Sequence, residues 1–315
     1  MGGFHAEVRA AAPVNINQSV TVGFIGLGSI GKPIADRIIA GGFKVVVTDI
    51  RTEACVPFEN RAVIARSAAE VAAQSDIVIG CLPSLDAYLS IASGPDGIQN
   101  SNRARIYVHI GTTGPASVRQ VQTLLEERGV VTLDAPMSGG IARAAEGSLV
   151  TMVSGRPSAL DQAEAVLKCY SNKVVYLGEK PGAAQAMKLI NNMLSAANLA
   201  IACEAMLLGA KEGLDPEKML EVLNAGTGQN SATLSKIPKH VLPRSFDYGG
   251  AMHITIKDLK AYIEEAQLQS IPTPIGAKVR EAYVDSFAHG AADDDMTAVM
   301  LRMEELAGVT LPKTR

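Results

Sequence analysis

The segment Asp134-Ala-Pro-Met-Ser138-Gly139-Gly140-Ile-Ala-Arg-Ala-Ala-Glu-Gly147-Ser-Leu149 places a hydroxyl beside two consecutive glycine amides. A hydroxyl and two amides at a flexible turn entering a short helix can hold a carboxylate. Further on, Lys188 and Asn192 stand four apart with no helix breaker between them, so a helix would stack their side chains on one face. Met187, Leu189, Ile190, Met193 and Leu194 around them are all apolar. A lysine in such surroundings loses hydration, its pKa falls, and it can give and take a proton. The other reading is a lysine that snorkels to solvent. Asn191, on the flank of the same segment, poses a weaker form of the same question.

A second chemical feature lies nearer the N-terminus, in Gly23-Phe-Ile-Gly26-Leu27-Gly28-Ser29-Ile30-Gly31-Lys-Pro-Ile-Ala. An apolar run enters Gly26-x-Gly28-x-x-Gly31 and a helical pattern leaves it, the arrangement that brings backbone amides and a helix N-terminus to a dinucleotide pyrophosphate. Residues 26 to 31 are therefore the expected phosphate loop. Asp49 ends the next apolar run, where a carboxylate can accept the adenosine ribose hydroxyls and repel a 2′-phosphate, which favours NAD. Arg51 points the other way, because a guanidinium there can take a 2′-phosphate; NADP is the alternative. Cys81-Leu82-Pro83-Ser84 and Gly111-Thr112-Thr113-Gly-Pro115 follow two further apolar runs, so Leu82, Pro83 and Thr112 are expected to line the same crevice. Leu82 and Pro83 also read as a plain turn, and Thr112 as a helix N-cap ahead of Pro115 and Ser117.

These residues need a scaffold that gathers strand ends. From residue 20 to about 177, β-branched runs (21–25, 44–48, 77–81, 105–110, 130–134, 149–154 and 173–177) alternate with helical patterns (30–40, 67–73, 117–128 and 158–170). That alternation implies an α/β fold: a doubly wound, Rossmann-type parallel sheet with helices on both faces, here assigned to residues 20–181. Beyond Pro181 only helical periodicity remains, in 183–212, 216–224, 254–267, 274–288 and 296–306, so residues 182–315 read as an all-α domain joined by a long interdomain helix. Residues 226–250 read as connecting loops and a short helix, and residues 1–19 as a loose arm.

Composition narrows the partners. In 315 residues, 47% are hydrophobic and 19% charged, and the formal charge is −3, so a large core is expected with no electrostatic footprint for nucleic acid or an anionic membrane. No apolar stretch reads as a spanning segment without a Gly, Pro, Asp, Asn or Lys interrupting it. The four cysteines form no CxxC pair and the five histidines no metal-spaced cluster. No metal is expected, and a reducing, cytoplasmic setting fits.

The motifs GFIGLGSIGKPIA, DAPMSGGIARAAEGSL and GAAQAMKLINN, with Ile256-Lys257-Asp258-Leu259 and the final Gly290-Ala-Ala-Asp-Asp-Asp-Met, resemble the β-hydroxyacid dehydrogenase family, that of 3-hydroxyisobutyrate dehydrogenase, tartronate semialdehyde reductase and the more distant 6-phosphogluconate dehydrogenase. The resemblance runs from Thr21 to the C-terminus. It implies that Ser138 and the amides of Gly139 and Gly140 hold a substrate carboxylate, Lys188 is the general acid/base, and Asn192 orients substrate and lysine. It also implies that Lys257 closes over the cofactor from the helical domain and that Thr112 lies near the nicotinamide ribose. The expected substrate is a short 3-hydroxy carboxylic acid or its semialdehyde, and the expected assembly a homodimer or homotetramer.

Departures from the family pattern are local. The usual Asp-x-Ser-Thr reads His109-Ile-Gly111-Thr112, the second glycine before the lysine helix is Ala184, and the loop Met is Ser29. No arginine cluster suits a sugar phosphate, and Lys188 argues against imine reductase chemistry. Phe246, Tyr248, Met252 and Asp258 are the residues expected around the far end of the substrate. The competing reading is a non-catalytic nucleotide-binding or assembly module of the same fold, and retention of Lys188, Ser138 and Asn192 argues against it.

Overall fold

A computed structural model describes residues 20–290 and 295–312; the N-terminal arm and Ala291 to Asp294 lie outside the described residues. Five of the β-branched runs become strands β1 (Thr21–Ile25), β2 (Lys44–Thr48), β4 (Ile77–Gly80), β5 (Ile106–His109) and β6 (Val131–Asp134), and a two-residue strand that the sequence did not suggest, β3 (Val63–Ile64), joins them. They form one parallel sheet in the order β3-β2-β1-β4-β5-β6. The order reverses between β1 and β4, and such a switch point opens a crevice at the strand carboxyl ends. The glycine loop after β1 and the Cys81 to Ser84 turn after β4 both end there.

Three later strands form a second sheet, which corrects the expectation of one continuous parallel sheet. β7 (Met137–Ser138) pairs antiparallel with β8 (Leu149–Val153), which pairs parallel with β9 (Ser171–Tyr176). Pro136 accounts for the break: its carbonyl accepts Met152 N–H at 2.9 Å, but it has no N–H with which to extend β6 along β5. An isolated antiparallel bridge between Asp134 and Ser154 joins the two sheets. The chain thus turns at Ser138, which brings its hydroxyl to the junction.

Helices cover both faces of the six-stranded sheet. On one face α1 (Gly31–Ala40) and, later, α6 (Pro157–Tyr170) bury Ile34, Ile38, Val166 and Tyr170 against Val22, Phe24 and Val47. On the other, α2 (Ala68–Gln74), α3 (Leu85–Ser93) and α4 (Pro115–Glu126) bury Val71, Tyr88, Val121 and Leu125 against Ile25, Val78 and Tyr107. Local chemistry sets the starts: Ser67 accepts Glu70 N–H at 3.2 Å and Ser84 accepts Ala87 N–H at 3.3 Å. α4 begins with Pro115 behind an N-cap at Gly114, so Thr112 does not cap it. The short α5 (Gly140–Glu146) follows the Ser138 turn.

α7 (Ala183–Lys211) runs 29 residues and leads into the helical half, with α8 (Pro216–Ala225), a π-helix over Ala232–Val241, α9 (Met252–Leu268), α10 (Pro274–His289) and α11 (Val299–Ala307) around it. Its inner face, including Met193, Ala196, Leu199, Cys203 and Met206, meets Ile237, Val241, Leu259 and Tyr283 in a separate core. By length and a mean hydropathy of 1.6 this helix could pass for a membrane span, but Lys188, Asn191, Asn192 and Asn198 interrupt it and half of that window is buried in the protein. Gln185, Lys188, Asn191 and Asn192 lie in the first three turns of α7.

Candidate active site

The glycine loop has the geometry of a dinucleotide cradle. Gly26 sits at φ +100°, where a Cβ would collide with the Cys81 carbonyl, and a Cβ at Gly31 would collide with the Gly26 carbonyl. A Cβ at Gly28 would meet nothing within 4 Å, so that backbone faces open space from which a pyrophosphate can approach. Leu27 is buried, Ser29 exposed and Ile30 half-buried at the start of α1. Asp49 holds the loop in shape: Oδ2 accepts Leu27 N–H at 2.6 Å and Oδ1 accepts Arg51 N–H at 2.9 Å. The Arg51 side chain turns back to the same carboxylate, with Nε 3.4 Å from Oδ1.

The opposite wall is organised by Tyr88. Its phenol accepts Leu82 N–H at 3.0 Å and Gly111 N–H at 2.9 Å and donates to the Gly80 carbonyl at 3.0 Å, tying the turn after β4 to the loop after β5. Leu82 is half-buried at this junction and Pro83 is exposed beside it. His109 stacks on the Tyr88 ring at 3.7 Å between centroids, and its Nε2 lies 3.0 Å from Thr113 Oγ1. Burial pulls the His109 pKa down to about 3, so the ring is neutral and acts as a packing and hydrogen-bonding group.

Gln185 and Asp134, both fully buried, join this loop to the start of α7. Asp134 Oδ2 accepts the N–H groups of Gly182 and Gln185 at 3.0 and 3.1 Å and the Ser154 hydroxyl at 3.1 Å, while Oδ1 accepts Gln185 Nε2 at 3.0 Å. Gln185 Nε2 also donates to the Gly111 carbonyl at 2.9 Å, and its Oε1 accepts the Thr113 and Gly114 N–H groups at 2.9 and 3.0 Å. Loss of water raises the Asp134 pKa, and these donors offset part of that rise.

The polar face of α7 begins one turn on. Burial lowers the pKa of Lys188 to about 8; the Asp258 carboxylate works against that shift and the Lys257 ammonium adds to it. Asn192 Nδ2 donates to Asp258 Oδ2 at 2.6 Å. Asn191 Nδ2 donates to Ser138 Oγ at 3.3 Å and to Asn192 Oδ1 at 3.1 Å, so the turn after β6 and the face of α7 are in contact. Gly139 and Gly140 follow at φ +142° and +74°, and a side chain on Gly139 would crowd Leu149 and Arg143. From α9, Lys257 Nζ reaches across to donate to the Thr112 carbonyl at 2.9 Å and lies 3.4 Å from Asp258 Oδ1.

This geometry agrees with comparisons to known proteins. Residues 21–178 match the family profile described as the NAD binding domain of 6-phosphogluconate dehydrogenase, and residues 182–303 that described as the NAD-binding domain of NADP-dependent 3-hydroxyisobutyrate dehydrogenase. The chain is 32% identical to 2-(hydroxymethyl)glutarate dehydrogenase of Eubacterium barkeri, covering 94% of this chain and 99% of that protein. It is 33% identical to the mitochondrial 3-hydroxyisobutyrate dehydrogenase of Mus musculus, over 95% and 92% of the two chains. The chain belongs to the β-hydroxyacid dehydrogenase family. A solved structure of Mycobacterium tuberculosis 3-hydroxyisobutyrate dehydrogenase with L-serine superimposes with a TM-score of 0.83 at 30% identity, covering 90% of this chain and 99% of that one. As a member of the family, the protein is an NAD(P)-dependent hydroxyacid dehydrogenase.

Within this dehydrogenase the residues singled out from sequence converge on the domain junction. Ser138, Gly139, Gly140, Lys188, Asn192 and Lys257 come together, with the Gly26 to Gly31 loop, Asp49 and the Leu82 and Thr112 loops around the adjoining crevice. Of the residues expected at the far end, Asp258 enters the site through Asn192, and Tyr248 packs against Lys236 and His240. Phe246 instead packs under the Arg244 guanidinium at 5.1 Å, and Met252 is buried in the helical core. Sequence reasoning missed Tyr88, Gln185 and Asp134 as organisers and placed Asn191 only on the flank. A glutamine three residues before the lysine, on an otherwise apolar helix start, was the available signal for Gln185.

Proposed function

We propose that the enzyme interconverts a short 3-hydroxy carboxylic acid and its semialdehyde, in the manner of a 3-hydroxyisobutyrate dehydrogenase or a 2-hydroxy-3-oxopropionate reductase. The carrying observation is the desolvated Lys188 amine on the α7 face that also contacts Ser138 through Asn191. Ser138 and the Gly139 and Gly140 amides hold the substrate carboxylate. Lys188, neutral, takes the hydroxyl proton as the alcohol carbon loses hydride and becomes the aldehyde; in reduction its ammonium returns that proton to the oxygen. Asn192, tethered by Asp258, keeps the hydroxyl and the amine aligned. When bound, the nicotinamide cofactor supplies the hydride acceptor or donor. Lys188 moves the proton itself, so the reading calls for no metal.

The glycine cradle, Asp49, Arg51, Leu82, Pro83, Thr112 and Lys257 would hold that cofactor. Asp49 with Arg51 folded onto it favours NAD, since the carboxylate repels a 2′-phosphate and the guanidinium is already engaged. Residues 20–181 act as the cofactor domain and 182–315 as the substrate and assembly domain. α7 exposes Leu194, Ile201 and Leu208 at seven-residue intervals, an apolar stripe that suits a homodimer or homotetramer in the cytoplasm.

The reading is tested by following reduced nicotinamide absorbance with hydroxy acids and semialdehydes and each cofactor. Turnover of a short 3-hydroxy acid supports it. Tight cofactor binding with no turnover across the panel would leave a non-catalytic nucleotide-binding module.

A further inference from the structure

The face of α7 that carries Lys188, Asn191 and Asn192 continues to Ser195, which lies four and three residues beyond the two asparagines. Ser195 Oγ accepts a hydrogen bond from Lys236 Nζ at 2.9 Å, and Ser231 Oγ accepts a second at 3.3 Å. Lys236 is 2% exposed, and among the described residues its hydrogen-bond partners are these two neutral hydroxyls. Asp295 is the acidic group near enough to influence it. That carboxylate is already occupied by the N–H groups of Gly249, Gly250 and Thr297 and by the Thr297 hydroxyl.

A buried ammonium whose hydrogen bonds go to neutral hydroxyls is costly unless an anion completes its surroundings. An ammonium has three donors, so two bonds to serines leave one to direct elsewhere. Its neighbours lead back to the substrate site. Lys236 Nζ lies 5.2 Å from the centroid of the Tyr248 ring, and the Tyr248 phenol feels the charge of Arg143 on α5, the helix that starts at the Ser138 to Gly140 turn. Lys236 also sits in the π-helix, a widened turn frequent at functional sites, where Pro238 removes a regular helical hydrogen bond. From Asn191, which touches Ser138, to Ser195 the helix rises about 6 Å. That is the reach of a short side chain ending in a carboxylate.

We propose that Lys236, supported by Ser195 and Ser231, forms the far end of the substrate pocket and binds a second carboxylate, so that the enzyme prefers 3-hydroxy acids bearing a distal carboxylate. The inference rests on the assignment of Ser138 to Gly140 as the site of the first carboxylate.

The test compares 3-hydroxyisobutyrate with 2-(hydroxymethyl)succinate, in which a carboxymethyl group replaces the methyl. The wild-type enzyme should favour the diacid in kcat/KM by about tenfold or more, the worth of a charge-assisted hydrogen bond. Lys236→Met should raise KM for the diacid about tenfold or more beyond any change for the monoacid, while Lys236→Arg keeps much of the preference. If the methionine variant is too unstable to assay, the Ser195→Ala, Ser231→Ala double variant, which frees the ammonium from its supports, should erode the same preference. No preference for the diacid in the wild-type enzyme, or equal losses for both acids in the variants, would overturn the proposal. Failure of the wild-type enzyme to turn over either acid with either cofactor would overturn this proposal and the reading of the site together.

Discussion

Gln185 and Asp134 bind each other twice: the Gln185 side-chain amide donates to Asp134 Oδ1 at 3.0 Å, and the Gln185 backbone N–H donates to Asp134 Oδ2 at 3.1 Å. The pair fixes the first turn of α7 against the end of β6 and, through the remaining Gln185 contacts, sets the loop from Gly111 to Gly114. Replacing Gln185 with Leu strands the buried Gly114 N–H and Asp134 Oδ1 together with the half-buried Thr113 N–H and Gly111 carbonyl. Each unpaired buried group costs about 1–3 kcal/mol, so a loss of roughly 2–4 kcal/mol in urea unfolding is expected, with a raised cofactor KM. A loss below about 0.5 kcal/mol would show that the loop does not depend on this side chain.

Asp49 serves two ends, loop shape and cofactor choice. Alanine would remove both, so Asp49→Asn is the sharper variant: it keeps an oxygen for Leu27 N–H and discards the charge. The ratio of kcat/KM with NADP to that with NAD should rise by about tenfold, the loss of a close like-charge repulsion. An unchanged ratio would refute the ribose assignment.

Ser138→Ala should raise KM for the carboxylate substrate about tenfold while KM for the cofactor moves less than about twofold, since one hydrogen bond to an anion is lost on one side of the junction only. The reverse pattern would place the substrate elsewhere.

The pH profiles follow from Lys188. Its pKa near 8 lies below that of an ordinary lysine, so the neutral base gains population as pH rises through 8 and the ammonium acid loses it. Hydroxy acid oxidation should therefore rise through about pH 8 and semialdehyde reduction should fall across the same range, measured as kcat/KM at saturating cofactor. Parallel profiles in both directions would contradict an acid/base role for this amine.

What could be read from the chain and what could not divides along sequence distance. Gly26-x-Gly28-x-x-Gly31 and the spacing of Lys188 to Asn192 are local patterns, and local geometry carries them into the structure unchanged. Five of the six strands from Thr21 to Asp134 were equally plain, because each is a short apolar run between turns; Val63–Ile64, with two residues, was not. Tyr88 and Gln185 were hidden because their partners lie far along the chain: Tyr88 reaches Gly111, and Gln185 reaches Gly111 and Asp134. The second sheet was hidden for a different reason. Its edge strand, Met137–Ser138, has only two residues, too few for any periodicity, and the role of Pro136 emerges only once β5 and β8 lie on either side. The helix Leu85–Ser93 went unread although Leu85, Tyr88, Leu89 and Ala92 fall on one helical face that packs against the core.

The central claim is that the Lys188 amine moves the proton during hydride transfer. Turnover of Lys188→Ala, measured alongside cofactor affinity by fluorescence titration, tests it most directly. The expected result is a fall in kcat of about 100-fold or more, within the range set by removing a general acid/base, with cofactor affinity changed less than about twofold. Turnover close to that of the unaltered enzyme would contradict the account.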